Sequence, residues 1–227
     1  MKLKVILFGS TGMIGQGVLN ECLNDDNVET ILVINREACG VVHPKLKEII
    51  HLNIFDLDPI SKELTGYNAC FFCLGISSAG MIEEEYYTTT YELTIHVATV
   101  LLDLNKGITF CYISGAGTDC TERGSIMWAR VKGKTENDLM KLPFKKVYNF
   151  RPGGIEPFLP LKPSQTFYNT YKYTKWLFSI MKVITPHYII TLKELAAAMI
   201  NVSVTGYSKN ILEMDDMKIL AKDQLKK

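Results

Sequence analysis

Seven residues near the start of the chain, Gly9-Ser10-Thr11-Gly12-Met13-Ile14-Gly15, have the clearest chemical meaning. They follow a short apolar run, Val5 to Phe8, and precede a stretch of helical character. Glycine turns tightly and lets the backbone approach a ligand closely. The free N–H groups and positive dipole end of a helix start attract an anion. A strand, a G-x-x-G-x-x-G turn and a helix therefore make a cradle for a pyrophosphate, and all seven residues are candidate ligands. The next apolar run ends at Asn35, followed by Arg36 and Glu37. An acidic residue at that point would hold a ribose 2′-hydroxyl, whereas a guanidinium can pair with a 2′-phosphate. Arg36 tips the expectation toward NADP, with NAD as the alternative; the plain reading of Arg36 is a solvated surface residue.

Other reactive side chains carry less. The six cysteines are Cys22, Cys39, Cys70, Cys73, Cys111 and Cys120. Cys70 and Cys73 have the C-x-x-C spacing, but they sit in an apolar run where residues three apart on a strand point to opposite faces. No second pair completes a zinc set, so reduced thiols in a cytosolic protein are expected. His43, His51, His96 and His187 form no close pair, and no metal site is expected. No G-x-S-x-G elbow is present, which removes the hydrolase signature.

The elements that would position the glycine turn alternate in type. Strands are expected over 4–8, 30–35, 46–50, 69–74, 109–114 and 146–150, and helices over 14–24, 84–104 and 127–140. Continuous apolar strands separated by helices imply an α/β, doubly wound parallel sheet, the Rossmann fold. Ligands in such sheets lie beyond the carboxyl ends of the strands. That topology brings Asn53 and Ile54 toward an adenine, Leu74 and Gly75 beside a ribose, and Ile113 with Ser114 to the nicotinamide end. The whole chain, 1–227, is expected to be one domain, with 152–227 an extension on the substrate side. Pro152, Gly153, Gly154, Pro157, Pro160 and Pro163 suggest a long loop. An aromatic segment follows at 171–184, with readings as substrate cover, homodimer face or membrane-surface contact. Thr191-Leu192-Lys193-Glu194 is a capping box opening a helix with an apolar stripe. A short strand over 210–214 and a helix over 215–222 close the chain.

Composition sets outer bounds. Net charge is +1, with 47% hydrophobic and 22% charged residues, so the broad electrostatic case for nucleic acid is absent. No apolar run reaches about 18 residues, so no membrane span is expected. Gly9 and Gly12 interrupt the N-terminal apolar run, which favours a first strand over a signal peptide.

Together these residues resemble the short-chain dehydrogenase/reductase superfamily. The nearest branch is the atypical one, around the Tat-interacting-protein oxidoreductases and bacterial NAD-dependent epimerase/dehydratase-like proteins. The resemblance covers roughly residues 4 to 157 and rests on the glycine turn, Phe72-Cys73-Leu74-Gly75, Val131-Lys132-Gly133 and Phe150-Arg151-Pro152-Gly153. It implies NAD(P) binding, with Pro152 and Gly153 on the cofactor side. It also implies a Tyr-x-x-x-Lys pair whose tyrosine exchanges a proton with substrate while the lysine binds the nicotinamide ribose. Lys132 matches the lysine, but the position four residues earlier is Trp128. An indole donates a hydrogen bond yet cannot exchange a proton near neutral pH. Ser114 matches a serine that polarises the substrate carbonyl, although Gly115-Ala116-Gly117 follows where such proteins carry further serines. Two readings stay open: an oxidoreductase or epimerase-like enzyme on an unknown small substrate, and a non-catalytic dinucleotide-binding module that senses cofactor state or regulates a partner.

Overall fold

Apolar side chains fill nearly every position of β1 (Leu3–Phe8), β4 (Ala69–Phe72) and β5 (Thr109–Ile113), as strands covered on both faces require. With β2 (Val28–Asn35), β3 (Leu46–Ile50), β6 (Lys146–Phe150) and β9 (Ile211–Leu212) they form a seven-stranded parallel sheet. The strand order is β3-β2-β1-β4-β5-β6-β9, and the winding direction reverses between β1 and β4. The fold is therefore doubly wound α/β, of Rossmann type. A computed structural model describes residues 2–156 and 188–222. The prolines at 157, 160 and 163, His187 and the aromatic segment 171–184 lie outside the described residues.

The strand alternation sends two sets of side chains to two cores. Val5, Leu7, Phe71, Cys111, Tyr148 and Phe150 pack toward α1 (Met13–Asn24), α5 (Leu192–Thr205) and α6 (Met214–Lys222). Ile6, Phe8, Phe72, Phe110 and Tyr112 face α3 (Leu93–Leu104) and α4 (Met127–Lys141). Cys70 joins the second core while Cys73 packs against the first, so their spacing does not place them together. The expected helix over 84–104 begins as α2 (Glu83–Tyr87) and passes through a π-helical turn, Thr88–Glu92, before α3. The capping box forms: Thr191 Oγ1 accepts from the Glu194 N–H at 3.1 Å, and Glu194 Oε2 accepts from the Thr191 N–H at 2.9 Å.

One expectation is corrected. Gly154 belongs to a strand rather than a loop: β7 (Gly154–Glu156) pairs in parallel with β8 (Ile189–Thr191) as a small second sheet. Its partner lies 35 residues downstream in register, Gly154 against Ile189, so no local pattern could announce it.

Candidate functional site

The turn between β1 and α1 is built by close backbone approach. Gly9 has φ +86°, and a Cβ on Gly15 would overlap the Gly9 carbonyl. Only hydrogen at Gly15 lets the first turn of α1 fold back onto the end of β1. Gly12 is the N-cap, with no side chain capping the helix and no acidic residue in its first turn. Thr11 and Gly12 are exposed, and Met13 and Ile14 are half-buried. The helix start is thus open to solvent at the carboxyl edge of the sheet, beside the point where the winding reverses. That is an anion-binding geometry.

At the β2 end, Ser10 Oγ donates to Asn35 Oδ1 at 2.8 Å, and Asn35 Nδ2 donates to Glu48 Oε1 at 2.8 Å. Arg36 follows as an exposed side chain. Asn53 is exposed beyond β3 and closes a turn, its side chain accepting from the Phe55 N–H at 3.2 Å; Ile54 packs against the second core. Leu74 and Gly75 leave β4, the Leu74 amide lying against Gly9.

At the far end, Lys132 reaches under the β5 terminus. Its ammonium donates to the Ile113 carbonyl at 3.1 Å and the Ser114 carbonyl at 3.0 Å, and stands 5.5 Å from the Tyr112 ring centre. Two of its three protons are thereby used, leaving one for a ribose hydroxyl. Pro152 is buried, its carbonyl accepting from the Ala116 N–H at 2.9 Å, and Gly153 lies against the Tyr188 carbonyl.

Ser114 is buried, and its hydroxyl pairs with Thr118 Oγ1 at 2.9 Å. Thr118 in turn donates to the Gly115 carbonyl at 2.8 Å. With the Thr118 proton spent there, Ser114 must be the donor in their bond. Its own proton is then not offered to a substrate oxygen. Thr118 escaped the sequence reading because a hydroxyl four residues on, in a loop, follows no helical or strand period.

Trp128 does point to this loop. A Cβ at either Gly115 or Gly117 would lie 3.7 Å from its six-membered ring, so the indole covers the glycines after β5. Tyr86 and Tyr91, at the start of the helix before β5, are both made weaker acids. Tyr86 is buried, which raises its pKa. Burial and the Asp138 carboxylate, bonded at 2.8 Å, push the Tyr91 hydroxyl to about 12.

Beneath Lys132, one helical turn along the same face, lies Glu136, fully buried. Arg151 grips it with two bonds, Nε to Oε1 at 3.0 Å and a second nitrogen to Oε2 at 2.5 Å. The same guanidinium meets Cys120 Sγ at 2.7 Å and Glu213 at 3.2 Å. This junction joins α4, β6, the loop after β5 and the start of α6.

Burial lowers the Lys132 pKa from 10.5 to about 8, with Glu136 opposing the fall. Between those values the unfolded chain keeps this proton while the folded chain releases it, so this residue's contribution to stability increases with pH across the window. Below about pH 8 the folded chain carries the full cost of burying the charge. The stability of the native chain relative to Lys132→Met is therefore expected to rise between about pH 7.5 and about pH 10. Taking the difference cancels the cysteine and tyrosine titrations, and urea midpoints at the two pH values measure it. A flat difference would show that the ammonium is not desolvated.

No family model matches the chain. Among curated proteins it is similar to "Leucinostatins biosynthesis cluster protein T" of Purpureocillium lilacinum, 25% identical over 158 residues, 66% of this chain and 58% of that protein. It is similar also to "Protein fmp52-1, mitochondrial" of Aspergillus oryzae, 28% identical over 155 residues, 66% of this chain and 64% of that one. The matches thus span about three-fifths of these relatives' length. The solved structures it resembles include epimerases and a short-chain dehydrogenase/reductase. UDP-N-acetylglucosamine 4-epimerase of Methanobrevibacter ruminantium superposes with a TM-score of 0.66 at 14% identity, over 100% of this chain and 84% of that one. A short-chain dehydrogenase/reductase of Brucella melitensis gives 0.67 at 15%, over 93% and 96%. The WbmF enzyme of Bordetella bronchiseptica, solved with NAD+, gives 0.65 at 14%, over 98% and 78%. At these identities the likeness is one of fold, and the class it defines is the Rossmann fold shared by those enzymes.

The relatives overturn the cytoplasmic expectation. The proteins of Aspergillus oryzae, Emericella nidulans and Debaryomyces hansenii are all named mitochondrial. The expectation rested on reduced thiols. All six cysteines are indeed free, but a free thiol reports reducing surroundings and not an organelle. Among the described residues no helix is long and apolar enough to cross a membrane.

Proposed function

We propose that the chain binds a nicotinamide dinucleotide, NADP in preference to NAD, and works as an oxidoreductase or epimerase-like enzyme with Trp128 in place of the usual tyrosine. The observation that carries this is the open, uncapped start of α1 at the reversal point of the sheet. The backbone of 9–15 would hold the pyrophosphate, and Arg36 the 2′-phosphate. Asn53 and Ile54 would border the adenine, and Leu74 and Gly75 the adjoining ribose. Ile113, Ser114, Lys132, Pro152 and Gly153 would line the nicotinamide end. The cofactor supplies hydride exchange with a carbonyl or secondary alcohol. Lys132 orients the ribose, while the Trp128 ring covers the loop after β5 and keeps water from it. A proton for the substrate oxygen would come from water, with Ser114 donating a hydrogen bond to that oxygen once its Thr118 bond is released. The names of the relatives support a mitochondrial location, which fractionation of cells expressing the tagged protein would test.

A second reading, a cofactor-sensing module without turnover, is favoured by the committed Ser114 proton and by Trp128 itself. One experiment separates the two: titrate the native chain and Trp128→Tyr with NADP and NAD, then assay hydride transfer on a carbonyl and sugar-nucleotide panel. The enzyme reading expects native turnover that survives Trp128→Phe. Binding without turnover, with activity gained in Trp128→Tyr, would establish the module instead.

A further inference from the structure

The carboxyl end of β2 carries an amide where an adenosine ribose would be met, and that amide is engaged on both sides. Ser10 donates to Asn35 Oδ1, which fixes the amide nitrogen toward Glu48 Oε1; both bonds measure 2.8 Å. The Cys39 N–H donates to the same Glu48 oxygen at 2.8 Å. Glu48 stands on the edge strand β3, paired with Val33, so it shares a sheet face with Val33 and Asn35. The side chain is exposed, and the Cys39 thiol also donates to this carboxylate; a carboxylate has about four acceptor sites, so one is left for a ligand hydroxyl. Burial would raise its pKa, but the Cys39 and Asn35 donors outweigh that and lower it, so it is charged near neutral pH. Arg36, next in sequence to Asn35, is exposed, with no ion pair among the described residues. A guanidinium and a carboxylate drawn from the neighbouring strand thus flank the same end of the cleft.

We propose that Glu48 supplies the carboxylate of the adenosine end and opposes Arg36, so that the cleft accepts NAD alongside NADP instead of excluding it. This rests on the dinucleotide reading of the glycine turn. A 2′-phosphate gains from Arg36 and is repelled by Glu48, whereas a 2′-hydroxyl can donate to Glu48. The preference set by Arg36 is thereby blunted.

Isothermal titration of the full chain tests this with NAD+, NADP+ and the adenosine fragments 5′-AMP and 2′,5′-ADP. In the native chain the two dinucleotides are expected to bind within about ten-fold of each other. Glu48→Gln keeps an oxygen for Asn35 and Cys39; it should tighten NADP+ and 2′,5′-ADP by about five- to ten-fold and weaken NAD+ slightly. Arg36→Gln should move the ratio the other way. If Glu48 only braced the loop after β2, its replacement would weaken both dinucleotides by one factor, and that result overturns the inference while leaving the dinucleotide reading intact. If the native chain bound none of the four probes at millimolar concentration, the reading of the glycine turn would itself fail and take the inference with it.

Discussion

An alanine at Gly15 is expected to abolish NADP binding and to lower stability by at least about 1–3 kcal/mol. The added carbon would meet the Gly9 carbonyl and Ser10 Cα, all of it backbone. A side-chain obstruction could rotate aside, but a carbonyl at the end of a buried strand cannot. Either α1 shifts outward or the turn opens, and both disperse the N–H groups that would face the pyrophosphate. Gly12 supplies the matched control. A Cβ there would lie 3.4 Å from the Gly9 oxygen, a contact that small adjustments relieve. Gly12→Ala should therefore keep a near-native melting temperature while losing affinity, because its methyl occupies the space a phosphate needs. Thermal unfolding with NADP titration of both variants checks the pair. Undiminished affinity in Gly15→Ala would remove the physical basis of the proposed site.

Replacing Arg151 by methionine should be comparably damaging, for an electrostatic reason. Glu136 is fully buried and Arg151 nearly so, with side-chain exposures of 0% and 12%. Removing one partner of a buried ion pair strands the other, at about 3–5 kcal/mol. For a chain of this size that lowers the melting temperature by roughly 6–20 °C. The double variant Arg151→Met with Glu136→Gln should recover most of the loss, since the stranded charge rather than the missing attraction dominates. Glu136→Gln alone should be milder, because Arg151 keeps Glu213 and some contact with solvent. If the double variant is no more stable than Arg151→Met, the cost lies in packing around the guanidinium.

These two sites mark what could and could not be read from the chain. The glycine turn was legible because its meaning is local: strand, turn and helix follow within about twenty residues, and backbone conformation decides the rest. The parallel sheet was legible because strands buried on both faces are apolar throughout. The Glu136–Arg151 junction was not, since Glu136 looks like a solvated residue on a helix rich in charge and only the packing of α4 on β6 buries it. Ser114 directly follows β5, a position the strand pattern makes visible, yet its commitment to Thr118 depends on how the loop folds back. The pairing of β7 with β8 was hidden by glycine beside proline, a composition that usually breaks strands.

The contact between Gly17 and Leu192 has a consequence for biosynthesis. One face of the central sheet is covered by α1 and completed by α5 and α6, which come after the other described helices in sequence. At about 5–20 residues per second, the part of that face that α1 does not cover stays bare for roughly ten to thirty seconds. A nascent chain stalled before α5 should therefore recruit holdase chaperones, and a stop codon anywhere ahead of Leu192 should send the product to aggregation or proteolysis, however complete its glycine turn.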